Sequence, residues 1–139
     1  MRTTTIFVSI LTLACAASKP QSSPPVVEFG GNYATVVSLA ENTCGTISVE
    51  NNPTVVTHDA DSGSVTLTHA GVVYTGHVIA ADSTFTTVPR VVSVGDGFTY
   101  NIAIAGRFKE TAFDANASVD RTGKGDACRF VVHWVGTRS

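Results

Sequence analysis

Charge is scarce in this chain: 9 Lys and Arg against 11 Asp and Glu, 14% of 139 residues, leave a formal net charge of −2. Such a chain carries no basic field to gather phosphates, so nucleic acid is excluded as a partner. No stretch approaches the ~18–20 consecutive apolar residues that a membrane-crossing helix needs. Chemical signatures are missing as well: there is no G-x-S-x-G, no H-E-x-x-H and no C-x-x-C. Thr122-Gly123-Lys124-Gly125 fails as a phosphate loop, since Ser118 and Gly125 occupy the places of its Gly and its Ser or Thr. Nothing asks for a cofactor. These gaps point to a protein that binds and does not catalyse, and a length of 139 residues suits one domain.

The charge that is present is uneven. From Pro20 to Tyr100 one base, Arg90, stands against seven acids, a net of −6, whereas six bases and four acids follow Tyr100. The expectation is that the two halves pair across neighbouring strands.

The amino terminus reads as an export address. Arg2 precedes a short apolar stretch, Ile6 to Ala14, and the small residues Cys15-Ala16-Ala17 follow it. Leu13-Ala14-Cys15 resembles the end of a bacterial lipoprotein signal, an imperfect lipobox with Thr12 where that pattern carries Leu. The resemblance implies cleavage before Cys15, several lipid chains on that cysteine, and a membrane partner held through that lipid in the cell envelope. Cleavage after Ala14-Cys15-Ala16, leaving a secreted or periplasmic protein, is the alternative. Acylation of Cys15 also leaves no odd thiol, because Cys44 and Cys128 can pair in an oxidising compartment. Residues 15–27, Pro- and Ser-rich, read as a tether. The expected division is therefore signal 1–14, tether 15–27 and one domain over 28–139.

That domain reads as all-β. Val, Thr and Ile dominate beyond Tyr33, with Gly, Asn and Asp at intervals of roughly ten residues, which predicts about eight strands. Phe98 to Phe108 alternates over eleven residues, with Phe98, Tyr100, Ile102, Ile104 and Phe108 on one face. Phe113 to Asp120 alternates strictly and Phe130, Val132 and Trp134 continue the pattern. The other runs are Tyr33 to Ala40, Ile47 to Val49 leading into Thr54 to His58, Ser64 to His69, Val72 to Ala80, and Phe85 to Val94.

A two-residue turn at Ala70-Gly71 would set Leu67 opposite Tyr74 and Val65 opposite Gly76, and a turn at Asp82-Ser83 would set Ala80 opposite Phe85. Gly76 and Gly106 then fall on the inward face, where a sheet can bend sharply. Antiparallel pairing of the first strand with the last brings Cys44 to Cys128, so a disulfide would staple the seam of an up-and-down barrel. An immunoglobulin-like β-sandwich is the runner-up, although Trp134 follows both cysteines instead of standing between them.

Gly31-Asn32-Tyr33 opens the first strand and is similar to the G-x-W that opens lipocalins, so the chain resembles a small lipocalin-like or calycin barrel. The resemblance implies a module that binds a small apolar ligand or an envelope partner. Inhibition of, or docking to, an envelope-attacking enzyme is the alternative, and a secreted, non-lipidated adhesion or structural sandwich a third. Tyr74, Tyr100 and Trp134 are the candidate ligand-lining residues, each an apolar body with a polar tip. The four histidines are spread over separate strand ends and faces, so no metal site is expected. Asp114, Asn116, Ser118 and Asp120 form a row on one strand, spaced ~6.5–7 Å apart, and read as solvated surface.

Overall fold

A computed structural model describes residues 18–20 and 25–139 of the chain. The signal stretch 1–14, Cys15 and residues 16–17 and 21–24 of the tether lie outside the described residues.

Nine strands follow one another: β1 (Gly31–Asn42), β2 (Thr54–Asp59), β3 (Ser64–His69), β4 (Val72–Ile79), β5 (Thr84–Thr87), β6 (Arg90–Ser93), β7 (Thr99–Phe108), β8 (Ala112–Gly123) and β9 (Asp126–Arg138). All pairings are antiparallel; β9 returns to β1 and β5 also pairs with β7. The result is a closed eight-stranded up-and-down barrel, with β6 as an extra strand. One sheet closes on itself, which overturns the sandwich alternative.

Local chemistry explains the joints. Ala70 and Gly71 both take positive φ, 48° and 76°, the geometry of a two-residue hairpin that matches strand twist. The register that follows is the expected one, with Leu67 opposite Tyr74 and Val65 opposite Gly76. The next turn differs from expectation. Val78, not Ala80, faces Phe85, because the turn contains four residues and Asp82 Oδ1 accepts hydrogen bonds from the Thr84 N–H at 3.0 Å and hydroxyl at 2.6 Å. A slip of two residues keeps the same side chains inward.

Two further expectations are corrected. Ile47 to Val49 is not a strand: residues 43–53 form an excursion, with Ile47 and Val49 resting half-buried on the core. The run Phe85 to Val94 divides at Pro89. Thr84 to Thr86 pair with Arg107 to Ala105, but Arg90 pairs with Ile102, so one residue is gained at Val88-Pro89. Proline has no N–H for a ladder and marks bulges and edges. The Ile104 N–H there donates to Thr87 Oγ1 at 2.9 Å.

Inside the barrel, small residues stand beside large ones. Trp134 faces Ala115, which faces Gly106, which faces Phe85. A Cβ on Gly76 would collide with the Thr86 carbonyl, and one on Gly136 with the Phe113 ring, so close strand approach and aromatic volume require both glycines. Phe29, Phe85, Phe108 and Phe113 fill one end, with Phe29 stacked on Phe108 at 4.7 Å and Phe85 4.6 Å from it. Tyr33 closes that end: fully buried, it donates to the Phe29 carbonyl at 2.8 Å and accepts from Arg138 Nη2 at 2.9 Å. Cys44 and Cys128 are bonded across the β1–β9 seam at the opposite end, closing a separation of 84 residues.

Candidate functional site

At the aromatic end a small pocket of about 80 Å³ remains, lined by Val26, Val27, Phe29, His58 and Val78 among others; a wider opening lies at the other end, near the disulfide. Beyond Tyr33, β1 has no strand partner on its β2 side, because β2 begins only at Thr54, opposite Tyr33. The excursion 43–53 lies across this seam, and the Val37 N–H donates to Asn51 Oδ1 at 2.9 Å. An open cleft of about 340 Å³ remains, lined by Val37, Val49, Glu50, His69, Val132 and Trp134 among others.

Its floor is aromatic. The His69 imidazole lies over the Trp134 indole with centroids 4.1 Å apart, and Tyr74 meets the indole edge-on at 6.3 Å. Beneath them runs a buried polar chain: Thr35 Oγ1 is 2.8 Å from Thr54 Oγ1, which is 2.9 Å from His69 Nδ1. Burial pushes the His69 pKa down, so the neutral ring is favoured. Burial likewise raises the Tyr74 hydroxyl, partly opposed by the charge of Arg90.

Of the three expected lining residues, the cleft takes Trp134 directly, and Tyr74 supports it from behind. Tyr100 is elsewhere. Its hydroxyl donates to Asp96 Oδ2 at 2.7 Å at the rim, a bond that raises its own pKa and lowers that of Asp96. His69, Thr35 and Thr54 are the residues that sequence reasoning did not single out as ligand-facing. Their signal is polar residues at inward positions of alternating strands, legible only once the neighbouring strands are aligned.

The remaining histidines lie apart. The His58 side chain is buried at the aromatic end, where its Nδ1 accepts from the Phe29 N–H at 3.3 Å. His77 stands on the outer face of β4, and His133 Nε2 is 2.9 Å from Asp114 Oδ1 on the outer wall. Among the described residues no three His, Cys, Asp or Glu come together as a metal site. Asp114, Asn116 and Asp120 are exposed and Ser118 half-buried, on the outer face of β8.

Charge pairing follows the expectation only in part. Among the described residues the carboxylates that Arg121 and Arg129 reach are Asp126 and Asp120, at 3.7 and 3.8 Å, within the same half of the chain. The β8–β9 hairpin sets these groups beside one another. The acids of the first half mainly serve turns: Asp59 Oδ1 accepts from the Asp61 N–H at 3.0 Å and Asp96 Oδ1 from the Phe98 N–H at 2.8 Å, while Arg107 and Lys124 of the second half act on Asp82 and Asp96 through charge alone.

Elsewhere the wall opens. Past Thr87, β6 peels away from β4, and a groove of about 410 Å³ lies between them, lined by Val73, Thr75, Val88, Pro89, Arg90 and Val91.

Comparison of the chain with protein-family models, with curated proteins and with solved structures finds no match.

Proposed function

We propose that this protein is a non-enzymatic binding module of the bacterial cell envelope, anchored by lipid on Cys15, that holds a small apolar ligand in the cleft at the barrel mouth. The observation that carries the ligand reading is the meeting of Trp134 and His69 at the floor of that cleft, walled by Val37, Val49 and Val132. Apolar walls with a few oriented polar groups are what small-molecule sites offer. The aromatic packing at the opposite end favours a shallow site over a deep carrier cavity.

Native mass spectrometry of the full protein, purified from the cells that make it, tests the reading. A bound small molecule that is lost on substituting Val37 and Val132 by Asp supports it; repeated recovery of empty protein counts against it. The anchor has its own test. Cys15→Ser should abolish lipid labelling and release the protein from membranes, and an unlabelled wild-type chain would sink the assignment.

One feature favours the alternative, docking to an envelope protein. Val88 and Val91 are 64% and 65% exposed beside the groove between β4 and β6, and an edge strand with open backbone groups can accept an extended segment of a partner. Val91→Asp leaves the mouth untouched, so loss of a protein partner with retained small-molecule binding would separate the two readings.

A further inference from the structure

The cleft has a polarity that follows from counting protons along the buried chain beneath it. Thr35 Oγ1 is placed to donate to the Tyr33 carbonyl at 3.3 Å, an oxygen that can only accept. With its single proton so used, Thr35 accepts from Thr54 at 2.8 Å. In that order Thr54 accepts from His69 Nδ1 at 2.9 Å; in the reverse order each hydroxyl donates toward the ring instead. The reverse order puts the proton on Nε2, and the order that starts from the Tyr33 carbonyl makes His69 the Nδ1–H tautomer with a lone pair on Nε2.

That lone pair has no partner among the described residues. His69 is 8% exposed, yet Nε2 is not among sealed, unpaired atoms, so the atom opens onto the cleft that His69 lines. The same holds for the Trp134 indole N–H. The walls supply no cation, and the one charged side chain on them is Glu50.

Resting on the reading of the mouth as the binding site, we propose that His69 Nε2, in the Nδ1–H tautomer, is its polar anchor and favours apolar molecules that present a hydroxyl or N–H over otherwise similar acceptor-only and anionic ones. A molecule lacking the donor leaves a largely buried acceptor unpaired, which costs affinity more than a matched pair gains. A carboxylate would face both the lone pair and Glu50.

The test uses phenol, anisole and benzoate as probes on the ¹⁵N-labelled full protein, followed through the Trp134 indole N–H and the methyls of Val37, Val49 and Val132. Anisole is the more apolar of the two neutral probes, so apolar contact alone would favour it. The expected result is phenol bound about tenfold more tightly than anisole, and more tightly than benzoate. In His69→Asn, whose amide can still donate to Thr54 but which lacks the distal nitrogen, that preference should vanish. Long-range ¹H–¹⁵N spectra of the unaltered protein should show the proton on Nδ1, a readout that does not depend on the variant folding. A proton on Nε2, or anisole equal to phenol at the cleft, overturns the role of His69 and leaves the binding site standing. If no probe shifts the cleft at roughly millimolar concentration, the site itself falls, and this role with it.

Discussion

The imidazole of His69 and the indole of Trp134 lie 4.1 Å apart between ring centroids, so the one tryptophan of the chain reports directly on the one histidine at the mouth. Burial lowers the His69 pKa below its ordinary 6.5. The emission of Trp134 should therefore titrate with a midpoint below 6.5, and His69→Asn should remove that transition. A midpoint at or above 6.5 would contradict the burial of the ring.

Stability should follow the same group. Between its lowered folded value and 6.5 the unfolded chain binds the extra proton, so stability falls as pH drops through that window and is flat above it. Glu50 is the charged side chain on the same cleft wall. A second limb lies lower: hydrogen bonds depress Asp59, Asp82 and Asp96 below 3.8, and what they contribute is lost as pH falls through their folded values. Denaturant midpoints from pH 8 to pH 3 should show both limbs, with the upper one alone missing in His69→Asn.

The Cys44–Cys128 bond closes a separation of 84 residues, and by chain entropy its removal should cost about 2–5 kcal/mol. Cys44→Ala with Cys128→Ala should fold as the same barrel with a lower denaturant midpoint. Because the bond also anchors one end of the 43–53 excursion, hydrogen exchange at Val49 to Asn52 should quicken more than exchange in β3. Equal quickening everywhere would mean that the staple does not hold the cleft wall.

Ala70 sits at φ 48°, a conformation that costs an L-residue energy and glycine almost none. Ala70→Gly should raise stability by about 0.5–1 kcal/mol, read as a melting temperature higher by several degrees in a domain of this size. A lower melting temperature would show that the turn is not of this type.

Tyr33→Phe deletes one hydroxyl that satisfies the Phe29 carbonyl and two nitrogens of Arg138. Leaving buried partners unpaired costs about 1–3 kcal/mol. Urea unfolding should show that loss, with ligand binding at the far mouth unchanged.

Much of the barrel was legible along the chain. The inward positions of β7 and β8 follow from strict alternation, the register of β3 with β4 from Ala70-Gly71, and the seam disulfide from first-to-last pairing. What escaped depends on contacts between distant segments. Ile47 to Val49 has strand-like residues but covers the seam beyond Thr54 instead of pairing. Pro89 splits an apolar run because Val88 still donates to the Thr75 carbonyl of β4 while the proline nitrogen, turned toward β7, has no N–H where the register shifts. Tyr100 has the alternation of an inward residue, yet at the strand end its hydroxyl finds Asp96. The Thr35–Thr54–His69 chain joins β1, β2 and β3, and each member alone is an unremarkable polar residue.

Chemical-shift mapping of small neutral aromatics on the ¹⁵N-labelled protein tests most directly whether the barrel mouth is the binding site. Binding there predicts shifts concentrated at Trp134, His69, Val37, Val49 and Val132. Shifts confined to the groove of Val73, Val88 and Val91, or none anywhere, would contradict it.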